Sequence, residues 1–331
     1  MMFACRRHGR CGAEENEKVM IMQALIDAQG VTKHYEGFAL NAFDITVAPD
    51  RVVGLIGSNG AGKTTLLKSI LGMISLDNGA ISLLGTDPQA NAAESATVKQ
   101  DIGVVLDTCA FPVSMKVSDV RTLGRAAYAR WDDARFEQLC VEFDLAAKKP
   151  VKDLSRGMGM KLTLAFALAH HPRLLILDEV TAGLDPIARD EVLEILRSFM
   201  EEEGHAILMS SHITTDLEKI ADEIVCIDEG TMVFALPKEA ICDEAGIAHC
   251  RASELEAIAS SEYGVARDAA ATSGSNAALS DAPPLRFLSR GLATDLLVPD
   301  RVAFARAFPD IEIERVSIED YMTLTLKGET L

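Results

Sequence analysis

Nine consecutive residues, Gly57, Ser58, Asn59, Gly60, Ala61, Gly62, Lys63, Thr64 and Thr65, follow the pattern G-x-x-x-x-G-K-[ST] and leave this chain few folds to choose from. The residues just before them, Val52, Val53, Gly54, Leu55 and Ile56, form a short apolar run, and residues 65–71 have helical character. The order is therefore strand, glycine-rich loop, helix. Glycines let backbone N–H groups turn inward around phosphate oxygens. The helix that follows points its N-terminus at the same anion. Lys63 supplies positive charge to the β- and γ-phosphates, and Thr64 offers a hydroxyl to Mg²⁺. A glycine-rich turn that matches by chance is the competing reading, and the flanking strand and helix oppose it.

Two further apolar runs end in polar residues. Residues 174–177 lead into Asp178 and Glu179, and residues 206–209 lead into Ser210, Ser211 and His212. Short runs apolar on both faces suit a parallel sheet covered by helices. Such sheets bind ligands at the carboxyl ends of their strands. Asp178 is placed to hold Mg²⁺, usually through water, and Glu179 to polarise an attacking water as general base. Alone, the pair also reads as a solvated strand end; the phosphate loop upstream gives it meaning. Residues 117–128 and 133–143 carry apolar positions at helical spacing and predict a helical insert between strands.

Composition narrows the function. The chain has 331 residues and a formal net charge of −18, which opposes direct nucleic-acid contact because phosphate neutralisation needs a basic patch. Its seven cysteines are odd in number and irregularly spaced, which reads as reduced thiols in a cytosolic protein. No run of about 18 apolar residues spans a bilayer. Residues 1–22 read as a disordered or non-native leader, with Met20 or Met22 as alternative starts. Residues 265–284 are rich in Ala, Ser, Asp and Pro and read as a linker. Beyond it, strand 294–298, helix 301–308, strand 311–316 and a helix start at Ser317 predict a small α+β unit.

Leu154, Ser155, Arg156, Gly157 and Met158 precede the carboxylate pair, and Ala182, Gly183, Leu184 and Asp185 follow it. With the phosphate loop and His212, this order resembles the ABC ATPases over residues 25–245. The resemblance implies an α/β fold of the P-loop NTPase class: a parallel-sheet core, a helical subdomain carrying the signature, and here a small α+β C-terminal extension. Ser155, Gly157 and Met158 would then contact ATP held by the opposite subunit, and Asp185 would lie at the dimer interface. Ser155 also reads as an ordinary N-cap, and both roles are compatible. His212 would contact the γ-phosphate and orient the catalytic water. Tyr35 would stack on adenine; a surface aromatic is the other reading.

There are departures from the family pattern. Asp107 stands where the family usually has a Gln that contacts Mg²⁺, and it reads equally as a holder of metal-bound water or an exposed loop residue. Val180 replaces the usual Pro, and Arg156 and Met158 replace the commoner Gly and Gln. Residues 128–132, 154–162 and 298–320 look like one branch in particular. In that branch the ATP-binding subunits of drug, antimicrobial-peptide and bacitracin-type exporters are encoded apart from their permease.

The expected organisation is an ATPase domain at residues 23–245 with its helical insert at about 108–160, then an extension at 246–331. The expected function is an ATPase that uses ATP and Mg²⁺ to drive a separate transmembrane permease. It would pair with an identical or a second ABC ATPase, bind no nucleic acid, and sit on the inner face of the cell membrane. The alternative is a soluble regulatory ABC ATPase without a permease.

Overall fold

Strands β3 (Arg51–Ile56), β6 (Leu174–Asp178) and β7 (Ala206–Ser210) are buried along their whole length except at Arg51. Each fully buried Leu, Ile or Val stabilises by roughly 1.5–3 kcal/mol, so these segments take the centre of the molecule. In this computed structural model they join β5 (Ile102–Val105), β8 (Glu223–Asp228) and β9 (Thr231–Pro237) in a six-stranded sheet ordered β5-β6-β7-β3-β8-β9. All neighbours are parallel except β8 and β9. The structure describes residues 23–89, 91–107, 109, 111–261, 285–290 and 293–331. The leader 1–22 and the linker 265–284 lie outside the described residues.

Register places the chemistry. Ser210 is level with Asp178 on one side and with Leu55 on the other. The polar ends of β6 and β7 therefore stand beside the point where β3 enters the phosphate loop. Helix α1 (Lys63–Ile70) leaves that loop and buries Leu66, Leu67 and Ile70.

A second sheet was not foreseen. Strands β1 (Ile26–Tyr35), β2 (Phe38–Val47) and β4 (Asn78–Leu83) form an antiparallel sheet ordered β2-β1-β4. These strands lack the continuous apolar runs of the central sheet. From Leu40 onward β2 instead mixes buried and exposed positions, with Leu40, Phe43, Ile45 and Val47 turned inward.

Helices α2 (Ala92–Val98), α3 (Val117–Ala127), α4 (Asp133–Glu142) and α5 (Arg156–Leu168) lie between β4 and β6 in the chain. The two predicted helices of the insert are present, each one residue shorter than the pattern. Asp132 caps α4 by accepting from Ala134 N–H at 2.8 Å and Arg135 N–H at 3.0 Å. Helix α5 buries most of its circumference, Leu162, Leu164 and Ala165 completely. Helices α6 (Pro186–Met200) and α7 (Thr214–Ile220) follow β6 and β7. Pro186 opens α6, where its missing N–H costs nothing.

The C-terminal unit is an antiparallel sheet ordered β13-β10-β12-β11-β14, from β10 (Gly246–Cys250), β11 (Arg286–Arg290), β12 (Ala293–Val298), β13 (Ile313–Arg315) and β14 (Glu329–Thr330). Helices α8 (Ala252–Ala259), α9 (Arg301–Ala307) and α10 (Ile318–Lys327) accompany it. Ser317 caps α10, accepting from Asp320 N–H at 3.1 Å. Ala248, Ile258, Leu296 and Phe304 share a core of their own. Helix α10 faces the other way: Ile318, Tyr321 and Leu324 join the core of the six-stranded sheet, and Ile318 N–H donates to Glu218 Oε1 at 3.0 Å.

Candidate nucleotide site

The phosphate loop turns so tightly that two glycines have no substitute. A Cβ at Gly57 would stand 2.1 Å from Ile227 O, and one at Gly62, with φ +116°, would stand 2.8 Å from the Phe38 ring. Lys63 is only 7% exposed, and its Nζ donates to Gly57 O at 2.7 Å and Ser58 O at 3.2 Å. Ser58 Oγ is held by Asp228 Oδ1 at 2.9 Å. The lysine is thus already folded against the loop that its charge serves.

Opposite the loop, Asp178 is buried and accepts from Thr64 Oγ1 at 2.7 Å and from Ser210 Oγ at 2.5 Å. A hydroxyl and a carboxylate form a hard, oxygen-only donor pair. That fits Mg²⁺, which takes one or two protein carboxylates and fills its remaining positions with water and phosphate oxygens. Glu179 follows on left-handed backbone, φ +55°. Its N–H donates to Ser210 O at 3.1 Å, and its carbonyl accepts from Ala182 N–H at 3.0 Å. These bonds hold an unfavourable conformation in place. His212 meets the Glu179 carboxylate twice, through its N–H at 3.3 Å and through ring Nδ1, both to Oε2.

These groups surround one open cleft of about 460 Å³. Ser58, Asn59, Gly60, Gly62, Lys63, Thr64, Thr65, Asp107, Asp178, Glu179 and His212 all line it. Of the predicted loop residues, Gly57 and Ala61 do not; Ala61 is buried behind it. Tyr35 is 47% exposed and stands outside the lining, while Phe38, its stacked neighbour at 6.5 Å between ring centres, borders the cleft. Asp107 is shared between the cleft and a groove lined by Cys109, Val151, Leu154 and Met160.

Ser155, Gly157, Met158 and Asp185 line a different depression, of about 290 Å³, with Lys161 and Gly183. Ser155 Oγ accepts from Met158 N–H at 3.2 Å and caps α5. Asp185 accepts from Ala188 N–H at 3.0 Å and Ile187 N–H at 3.1 Å, capping α6. The bond from Ala188 does most to hold the Asp185 carboxyl below the usual range. Within one chain, then, the signature residues and the phosphate loop belong to separate depressions that share Arg156 and Gly183.

Sequence reasoning missed Phe38, Ser210, Asp228 and Arg156 as neighbours of the site. Ser210 had a signal, since it ends one strand as Asp178 ends its neighbour. The Ser58–Asp228 contact joins residues 170 positions apart and had none.

A family model described as ABC transporter matches residues 40–182. The bacitracin transport ATP-binding protein BcrA of Enterococcus faecalis is 33% identical over 218 residues, 65% of this chain and 70% of that one. The Nod factor export ATP-binding protein I of Rhizobium leguminosarum bv. viciae is 35% identical over 226 residues, 66% of this chain and 71% of that one. Among solved structures, the ATP-binding subunit of an ABC transporter superposes with a TM-score of 0.60 at 26% identity, covering 66% of this chain and 91% of that one. A dimeric ATP-binding cassette bound to ADP and Pi in a post-hydrolysis state shares the fold, with a TM-score of 0.59 at 18% identity over 64% of this chain and 98% of that one.

Proposed function

The chain belongs to the ABC transporter ATP-binding protein family, and on that premise we propose that it hydrolyses ATP to drive export through a separate membrane permease. The observation that carries this reading is the convergence of Lys63, Thr64, Asp178, Glu179 and His212 on one cleft. The names of the bacitracin and Nod factor relatives support export. A separate permease fits a chain in which, among the described residues, no helix is long and apolar enough to cross a membrane. Such a subunit sits peripherally on the inner face.

In this reading Lys63 and the backbone amides of the loop residues that line the cleft hold the β- and γ-phosphates, and Phe38 and Tyr35 offer ring faces to the base. Thr64 and Asp178 hold Mg²⁺, which supplies charge neutralisation at the phosphates when bound. Glu179 takes a proton from the attacking water. His212, already against the Glu179 carboxylate, keeps that base aimed at the cleft. Ser155, Gly157 and Met158 line a depression that does not include Lys63, which supports their meeting nucleotide across a dimer, with Asp185 at its seam. The reading divides the chain into an ATPase domain at 23–245, with its helical insert at about 108–160, and an extension at 246–331.

The test is a pull-down from native membranes with tagged Glu179→Gln chain and Mg-ATP. Recovery of a polytopic membrane protein is expected. Recovery of only the chain itself or of non-membrane partners overturns the coupling to a permease and leaves the ATPase chemistry standing.

A further inference from the structure

The turn between β8 and β9 stands behind the phosphate loop and meets it through Asp228, Gly230 and Ile227. Ser58 Oγ donates to Asp228 Oδ1 at 2.9 Å, Gly230 N–H donates to Ala61 O at 2.9 Å, and Ile227 O fills the space that a Cβ on Gly57 would need. Asp228 and Thr231 are register partners, so Glu229 and Gly230 alone form the turn. Both have positive φ, +45° and +75°, the combination that two-residue hairpins favour. Glycine adopts it freely and glutamate does not. On its other side the turn is fixed to β2: Asn41 N–H donates to Gly230 O at 2.9 Å, and a Cβ on Gly230 would stand 1.8 Å from Ala39 O. A strained turn persists where its surroundings over-determine it, and this one is held from both sides.

Asp228 is half-buried and stands outside the cleft lining, whereas Ser58 lines the cleft. The Ser58 carbonyl, with that of Gly57, holds Lys63 Nζ. A line of contacts therefore runs from Asp228 through Ser58 to the lysine that faces phosphate. A carboxylate this close to a phosphate site repels the ligand. The bond from Ser58 offsets that repulsion by fixing the loop before phosphate arrives, since a loop that must be ordered on binding weakens affinity.

We propose that Asp228 is a positioning residue of the nucleotide site: through the bond it accepts from Ser58 it presets the phosphate loop and Lys63 for the β-phosphate. This deepens the nucleotide reading above and rests on it. ADP and ATP both carry a β-phosphate, so Asp228 acts on the affinity of both alike. The hydrolytic groups lie elsewhere: Glu179 and His212 follow β6 and β7 and contact each other.

The experiment titrates fluorescent ADP and a non-hydrolysable fluorescent ATP analogue on the full chain and measures KM and kcat for hydrolysis. Asp228→Ala should weaken both nucleotides by about fivefold, the worth of one hydrogen bond, and raise KM with kcat unchanged. Ser58→Ala, which keeps the repelling charge, should lose somewhat more, and the double variant no more than Asp228→Ala alone. Asp228→Asn keeps an acceptor for Ser58 and should bind at least as tightly as wild type. Thr231 Oγ1 donates to Asp228 O at 3.0 Å, so Thr231→Ala loosens the turn without touching Ser58 and should match wild type. Wild-type affinity in Asp228→Ala overturns the proposal, as does a double variant in which the two losses add. Equal losses in Thr231→Ala and Asp228→Ala overturn it in favour of turn packing. A fall in kcat with both affinities kept overturns it as well. If wild type binds neither nucleotide, the nucleotide reading itself falls and takes the proposal with it.

Discussion

The cleft and the C-terminal sheet each bring an imidazole against a carboxylate, and they do so by different means. In the cleft, His212 meets Glu179 across the ends of β6 and β7, with Glu179 on left-handed backbone at φ +55°. In the C-terminal sheet, His249 on β10 meets Asp295 on β12 at 2.9 Å and Glu314 on β13 at 3.2 Å. His249 and Asp295 are direct register partners in a regular antiparallel ladder. Ordinary cross-strand neighbours need no strain to meet. Glu179 needs it: of the non-glycine residues lining the cleft, it alone has positive φ, at a cost of about 1–2 kcal/mol. A conformation held against its own preference by two backbone bonds is where function is expected. Under the proposed function, the contrast gives chemistry to one histidine–carboxylate contact and stability to the other.

The largest expected effect tests the strained side. Glu179→Gln should lower the rate of phosphate release by about 10²–10⁴, the range for loss of a general base, while ATP binding persists. Hydrolysis at the wild-type rate would break the contrast, because the strain would then have no catalytic use.

A smaller effect tests whether the two regions are separate. Phe304 is fully buried in the core that the C-terminal sheet keeps to itself. Phe304→Ala should cost that unit about 3–5 kcal/mol, seen as faster hydrogen exchange in β10 and β12. ATP hydrolysis should hold, since the cleft belongs to other cores. A parallel fall in hydrolysis would mean that α10, which packs beside α7, transmits the damage.

The smallest effect concerns His249. Burial alone would depress its pKa, yet the carboxylates of Asp295 and Glu314 outweigh burial and hold it above the usual value. An imidazole in the unfolded chain titrates near 6.5. The stabilisation from these pairs is therefore complete below about 6.5 and is lost as pH rises through the higher folded value. The ring is partly exposed, so solvent screening limits the effect to about 1 kcal/mol or less. Denaturation curves at pH 6 and pH 8 should show wild type losing more stability than His249→Ala. Equal losses would remove His249 from the account and leave the cleft unaffected.

Much of the site is legible because local chemistry repeats at strand ends. Lys63 and Thr64 stand out by spacing within one loop, and Asp178, Glu179 and His212 by closing apolar runs. The fold then brings all five together. The antiparallel sheet of β1, β2 and β4 was missed because its strands show one inward face instead of a continuous apolar run. Phe38 was missed beside Tyr35, since both are aromatics in one hairpin and the approach of the Phe38 ring to Gly62 at the cleft is a tertiary contact.

Residue order alone nominates the groups proposed to hold phosphate, bind a hard cation and take a proton, because those abilities reside in side chains and in short-range backbone geometry. It also indicates that strands apolar on both faces lie inside and that Ser155 and Ser317 start helices. Three-dimensional packing decides the rest. It sets Ser210 level with Asp178, ties Ser58 to Asp228, bends Glu179 into left-handed backbone and lays Arg156 over Gly183 toward the cleft. Each of these depends on register between strands or on contact between residues distant in the chain, and neither is a property of any short stretch of sequence.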